Sequence, residues 1–340
     1  MKISVIGSGS WGIAATKMLS ENGHDMTLWS FDPKEAALLQ EKRENPALLP
    51  GILLPERVQV TTDIACVQGA DMVVVAVPSF AVFETAQKMR PYVSKNQVMV
   101  LLSKGFDKNS GYSLLSDLLE RVFLGEVPVV ALTGPSHAEE VGRGIPTAVV
   151  AASVNQQAAA LTQEVFMNPV FRVYTTPDIV GAELGGAMKN IVALAVGISD
   201  GAGFGDNTKA RLMTGGIMEM ARFGVALGGR PETFTGLSGV GDLIVTCISQ
   251  HSRNRRAGLL IGSGVSPEEA IQKVGATVEG YFAAQAVHAL SQGKDLELPI
   301  CQAVYGLLYE GKPLDETVRA LMTRDKKSET QESWMQHINW

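Results

Sequence analysis

The sequence predicts an α/β protein in two parts, a doubly wound sheet over residues 1–179 and a mainly α-helical domain over residues 180–340. Three observations predict it. Short, continuously apolar runs alternate with helical stretches through the first half, as in a parallel sheet covered on both faces. A glycine-rich turn joins the first strand to the first helix. Beyond Thr176-Pro177-Asp178, β-branched clusters give way to Ala, Gly, Met and Leu. The length of 340 residues agrees with two domains, since single cores rarely grow past ~250 residues.

In chain order, strands are expected at residues 2–6, 26–29, 72–77, 98–102 and 127–132, with later strands at 147–152 and 171–175. The intervening helices are expected at 11–20, 33–43, 80–89 and 112–123. Asp178 stands where an N-cap would open a long helix. Helical spacing then persists through 207–227, 279–290 and 300–309. The tail 324–340 is polar with scattered aromatics and reads as loosely ordered.

Composition narrows the function. The chain is 46% hydrophobic, ample for packed cores, and its net charge is −6. That acidic balance gives no support to nucleic-acid binding, although a local basic patch can still hold a small anion. Cys66, Cys247 and Cys301 are distant from one another and lack CxxC spacing, so neither a disulfide framework nor a metal site is expected. The start MKISVIGSGS has no signal-peptide layout, and no apolar run approaches the ~20 residues a transmembrane segment needs. A cytoplasmic location is the expectation, and a homodimer is compatible with the sequence.

The turn Gly7-Ser8-Gly9-Ser10-Trp11-Gly12 matches GxGxxG between a strand and a helix. In that setting it is the fingerprint of a Rossmann-like dinucleotide-binding domain. Gly7 allows the tight turn, Gly9 lets a pyrophosphate approach the backbone, and Gly12 lets helix and strand pack closely. The second strand ends in Trp29-Ser30-Phe31-Asp32. Asp32 lies near the ~20-residue distance at which an acid meets a ribose hydroxyl, yet before Pro33 it can equally start a helix. NAD(H) and NADP(H) both remain open.

Ligands of open α/β sheets sit beyond the carboxyl ends of the strands. Pro78-Ser79, Ser103-Lys104-Gly105 and Gly134-Pro135-Ser136-His137-Ala138 all fall at such ends. Lys104 emerges there with a charge available for phosphate or carboxylate. His137 is read as a packing or capping residue, because a better acid–base candidate follows.

That candidate is Lys189, in the small, apolar run GGAMKNIVALAVGI. Gly185 and Gly186 share its helix face and are expected to clear space for a substrate. A partly desolvated lysine can protonate an oxygen developing negative charge. A lysine whose stem packs while its head reaches solvent fits the periodicity equally well. Asp242, among glycines in Gly239-Val240-Gly241-Asp242, could balance the lysine's charge or merely cap a helix. Ser252-Arg253-Asn254-Arg255-Arg256 resembles a helix start, where amides, dipole and a guanidinium favour phosphate.

Taken together, GSGSWG at 7–12, SKG at 103–105, GPSHA at 134–138, Lys189-Asn190, GDL at 241–243, SRNRR at 252–256 and VEG at 278–280 resemble bacterial NAD(P)-dependent glycerol-3-phosphate dehydrogenases over nearly the whole chain. The resemblance implies hydride transfer between a reduced nicotinamide and dihydroxyacetone phosphate, giving sn-glycerol 3-phosphate for phospholipid synthesis. It implies Lys189 as proton donor or acceptor with Asp242 beside it. Lys104, Gly134, Ser136, Ser252, Arg253 and Asn254 would hold substrate. Ser10, Trp11, Phe31, Lys104, Ala138, Arg253, Thr277 and Glu279 would touch the cofactor, and no metal is implied. Phe31 departs from the basic residue often found at its position. Rival readings are a β-hydroxyacid or 6-phosphogluconate dehydrogenase, which would not need this SRNRR site in the same form, and a non-catalytic nucleotide sensor, which would have no reason to place Lys189 beside a cleared helix face.

Overall fold

The computed structural model describes residues 1–326. The part of the expected loose tail from residue 327 onward lies outside the described residues. The chain divides into two compact units, Met1–Ile179 and Val180–Trp340.

Unit 1 contains the strands β1 (Lys2–Ile6), β2 (Asp25–Trp29), β3 (Gln59–Thr61), β4 (Met72–Val75) and β5 (Val98–Leu101). The pair β6 (Phe106–Asp107) and β7 (Ser113–Leu114) precedes β8 (Val129–Thr133), β9 (Thr147–Ala152) and β10 (Phe171–Thr176). Its helices are α1 (Ser10–Glu21), α2 (Pro33–Lys42), α3 (Val82–Met89), α4 (Leu115–Val122), α5 (Ala138–Gly142) and α6 (Gln156–Phe166). Eight strands form one sheet in the order β10-β9-β8-β5-β4-β1-β2-β3. Pairing is parallel except between β8 and β9, which run antiparallel.

The strand order reverses between β1 and β4, so the chain winds outward in both directions. Right-handed crossovers then put α1 and α2 on one face and α3 and α4 on the other. Double coverage explains the unbroken apolar runs: all four residues of β4 and all four of β5 are buried. Three short elements carry too little pattern to be expected, namely β3 and the small antiparallel pair β6–β7. The pair also takes residues 113–114 from the helix expected to start at 112. Asp32 caps α2, its carboxylate accepting from the Lys34 amide at 2.8 Å.

Unit 2 is helical. It comprises α7 (Ile179–Gly201), α8 (Asp206–Ala226), α9 (Pro231–Thr235), a π-helical turn over Leu237–Gly241, α10 (Asp242–Ile248) and α11 (Arg253–Gly262). There follow α12 (Pro267–Val274), α13 (Glu279–Ser291), α14 (Pro299–Tyr309) and α15 (Leu314–Met322). By length and composition α7 could cross a membrane, contrary to the expectation that no run approaches that length. It is a core helix, with 94% of its apolar stretch buried inside the protein.

Against α11, α7 packs backbone to backbone. A Cβ on Gly197 or Gly201 would lie 2.2 or 2.1 Å from the carbonyl oxygens of Arg255 and Leu259. Reciprocally, a Cβ on Gly258 or Gly262 would lie 2.2 or 2.1 Å from those of Leu194 and Ile198. Asp200 closes the seam, its Oδ2 accepting from Arg255 Nη2 at 2.6 Å and Nε at 3.1 Å.

Candidate active site

In unit 1, the carboxyl ends of the parallel neighbours β1, β4, β5 and β8 share one edge of the sheet. The glycine turn occupies the end of β1. Gly7 has φ +121°, and a Cβ there would lie 2.8 Å from the Ala76 carbonyl group, so only glycine fits. A Cβ on Gly12 would meet the Gly7 oxygen at 1.8 Å. Gly9 differs: nothing lies within 4 Å of where its Cβ would be. Packing does not require glycine at that position, whereas a close ligand does. An open cradle at the N-terminus of α1, backed by the helix dipole, fits a dinucleotide pyrophosphate.

The strand-end loops are tied to this turn. Trp11 Nε1 donates to the Ser136 carbonyl at 2.8 Å. Lys104 Nζ donates to the Gly134 carbonyl at 3.1 Å, and the Ser136 hydroxyl donates to the same oxygen at 3.0 Å. Gly134 takes φ +127°, placing that carbonyl where both can reach it. Ser10 donates to the Leu48 carbonyl at 2.8 Å, and Ala138 opens α5, buried. At the end of β2, Phe31 is 74% exposed, and Lys88 Nζ from α3 stands 5.3 Å from its ring centroid. The Ser8 hydroxyl donates to Glu35 at 2.9 Å, so an acid also lies close to the glycine turn.

In unit 2, Lys189 is buried at mid-length in α7. Its ammonium pairs with Asp242 Oδ1 and donates to Thr246 Oγ1 at 2.8 Å. Thr246 Oγ1 donates to the Asp242 carbonyl at 2.6 Å. The Asp242 side chain is only 1% exposed. A buried lysine is thus charge-compensated rather than snorkelling. Gly185 does not clear space for a substrate as expected. A Cβ on Gly185 would lie 2.4 Å from the Ser238 carbonyl, so the missing side chain admits the backbone turn that delivers Asp242. Cys247 follows Thr246, and burial pushes its thiol up to about 12, which keeps it protonated and non-nucleophilic at neutral pH.

The helix α11 opens with Ser252 as its N-cap, accepting from the Arg255 amide at 3.2 Å. Arg253 is exposed beside the free amides of that first turn, with no ion pair among the described residues. Arg255 points elsewhere, to Asp200. Asn254 is buried and bridges three elements. Its Nδ2 donates to Asn190 Oδ1 at 2.9 Å, and its Oδ1 accepts from the Gly280 amide at 2.8 Å. One Nδ2 hydrogen is left for a ligand. Thr277 and Glu279 stand at the start of α13.

Sequence reasoning missed Thr246 and the Asp200–Arg255 pair. Thr246 had a readable signal, lying one helical turn after Asp242 on the same face. Asp200 and Arg255 are far apart in sequence, and nothing local joins them.

Two family descriptions match the chain: the N-terminus of NAD-dependent glycerol-3-phosphate dehydrogenase over residues 2–159, and its C-terminus over residues 178–319. A glycerol-3-phosphate dehydrogenase [NAD(P)+] of Fusobacterium nucleatum is 48% identical over 336 residues, covering 98% of this chain and 100% of the relative. A crystal structure of a glycerol-3-phosphate dehydrogenase from Coxiella burnetii superposes with a TM-score of 0.91 at 38% identity, covering 95% of this chain and 99% of the other. The glycerol-3-phosphate dehydrogenase GPD1 of yeast gives 0.80 at 26% identity, covering 94% and 98%.

Proposed function

The chain belongs to the NAD-dependent glycerol-3-phosphate dehydrogenase family, and on that premise we propose how its residues interconvert dihydroxyacetone phosphate and sn-glycerol 3-phosphate. The observation that carries the proposal is the buried Lys189–Asp242–Thr246 cluster.

When bound, NADH or NADPH would supply the hydride for C2 of the ketone, and NAD(P)+ would accept it in the reverse direction. Reduction leaves charge on the C2 oxygen, and Lys189 Nζ donates the proton that neutralises it. Asp242 and Thr246 keep that ammonium in one position, so little reorganisation is needed as charge develops. In the oxidative direction Lys189 accepts the hydroxyl proton and must first be neutral. Activity in that direction therefore rises with pH, and a flat profile between about pH 7 and 10 at non-saturating substrate would count against the role.

The same reading gives Arg253, Ser252, the amides of α11 and the remaining Asn254 hydrogen the substrate phosphate, with Lys104, Gly134 and Ser136 also on substrate. Gly7, Gly9, Ser10, Trp11, Gly12, Phe31, Lys104 and Ala138 hold the cofactor, joined by Arg253, Thr277 and Glu279. Unit 1 acts as the dinucleotide-binding domain and unit 2 as the catalytic, substrate-binding one. The enzyme works in the cytoplasm, in keeping with three unpaired cysteines, and supplies glycerol 3-phosphate for phospholipid synthesis. A homodimer belongs to the same reading, and the molar mass in solution tests it.

The deciding experiment mixes the protein with dihydroxyacetone phosphate and NADH or NADPH and follows loss of reduced-nicotinamide absorbance. Wild type is expected to turn over, and Lys189→Met to lose about 10²–10⁴-fold in kcat while keeping its circular dichroism spectrum. A folded Lys189→Met with full activity moves the acid elsewhere, with His137 examined next.

A further inference from the structure

Unit 2 also holds a cavity of about 130 Å³ that none of Lys189, Asp242 or Thr246 lines. Its walls come from α7, α8, α14 and α15. Three observations mark it as a site rather than a packing defect. The interior is apolar, formed by residues such as Ile198, Leu212, Val304 and Val318. Ser199 lines it, 3% exposed, with a hydroxyl that has no hydrogen-bond partner among the described residues. A buried helical serine ordinarily bonds a carbonyl one turn back, so this orphan awaits an oxygen from elsewhere.

The third observation is Arg211, exposed at the lip and without an ion pair or hydrogen bond among the described residues. Its Nη1 lies 2.3 Å from where a Gly215 Cβ would be, and Ile300 Cδ1 lies 2.9 Å from that point. Gly215 therefore leaves the room that lays the guanidinium against the cavity wall. The acids in the lining are already engaged. Glu219 accepts from the Ile300 and Cys301 amides at 2.7 and 3.0 Å, and Glu297 meets Arg324 at 3.5 Å. Glu297 also receives Arg222 on its carbonyl oxygen. The uncompensated charge at the lip is positive.

We propose that this cavity is an effector site for a medium-chain monocarboxylate, with the apolar tail among the four helices and the carboxylate on Arg211. The volume is close to the ~150 Å³ that accommodates benzene, which allows roughly six tail carbons inside. Ser199 is the polar point that a ligand oxygen or a carried water would meet. Occupancy has a route to the reaction, because Ser199 adjoins Asp200, which holds Arg255 in the first turn of α11, and α7 itself carries Lys189. The kinetic readout rests on the reaction proposed above, whereas the binding readout does not.

The test titrates the full chain calorimetrically with octanoate and with octan-1-ol, in wild type, Arg211→Gln and Ala303→Phe. Saturable one-to-one octanoate binding is expected, about tenfold weaker in Arg211→Gln, with octanol binding equal in both. Ala303→Phe fills the cavity and abolishes both. Saturating octanoate is expected to shift the KM for dihydroxyacetone phosphate without being displaced by it. The proposal is overturned by no saturable binding, by binding that both variants leave intact, by displacement with dihydroxyacetone phosphate, or by unchanged KM and kcat at saturation. Should Ala303→Phe lose its fold, Arg211→Gln with the octanol control decides alone.

Discussion

At the glycine turn of unit 1 the groups that would face a ligand are backbone amides and an absent side chain. At the lysine cluster of unit 2 they are side chains that fix one another, one 53 residues from its partner and another 57. The first arrangement is held by a backbone turn that only glycine fits at Gly7, the second by three buried polar groups that bond one another. Substitutions should therefore act differently in the two. At the turn they should change binding by occupying space. At the cluster they should change chemistry by removing a group.

Lys189→Met sets the upper end of that contrast, through kcat. Next in size is Gly9→Val, whose side chain enters the open cradle. We expect the KM for the cofactor to rise by about 100-fold with the melting temperature almost unchanged. A variant with ordinary cofactor KM would place the pyrophosphate elsewhere and break the comparison. Asp200→Asn tests unit 2 one step from the reacting groups. Loosening Arg255 frees the first turn of α11, so the KM for dihydroxyacetone phosphate should rise by about tenfold and kcat should hold within about twofold. An equal fall in kcat would mean that the seam also positions Lys189.

Smaller still is Lys88→Ala. Its ammonium stands over Phe31 at the end of β2, the place where a cation recognises a 2′-phosphate. The KM for NADPH is expected to rise about threefold and that for NADH to stay put. Equal effects on both cofactors would reduce the pair to a surface contact, and leave Glu35 as the stronger influence there.

Glu219 should alter turnover least of all and stability with pH instead. Burial pushes its carboxyl from 4.5 up to about 7, against the pull of the Ile300 and Cys301 amides. The folded chain keeps a proton that the unfolded chain releases. The associated stability is complete below about pH 4.5 and is lost as pH rises through about 7. Relative to Glu219→Gln, the wild-type melting temperature should fall between pH 5 and 8. A constant difference would show that the carboxyl is already ionised throughout.

The same contrast explains what was legible in the sequence. The β-α-β rhythm and the glycine turn are local patterns, and β4 and β5 announce their double coverage in four consecutive apolar residues each. Ser252 was readable as a cap for the same reason. The lysine cluster was legible mainly through resemblance. Periodicity left Lys189 balanced between two roles, and its burial depends on Asp242 arriving from another helix. Gly185 shows how local reasoning goes astray: a missing side chain signals close approach, but the sequence does not say whether a substrate or the Ser238 carbonyl approaches. The strand β3, three residues long, and the two-residue strands β6 and β7 are too short to carry a period.

The seam between α7 and α11 has a consequence in the genetic code. Every single-base change that replaces a glycine codon with another amino acid installs a Cβ. At Gly197, Gly201, Gly258 and Gly262 that carbon lands about 2 Å from a carbonyl oxygen of the facing helix. These four codons can drift only at their silent third base. In a lineage that drifts freely on its surface, the distance between the helix bearing the lysine and the helix bearing Arg253 is inherited unchanged.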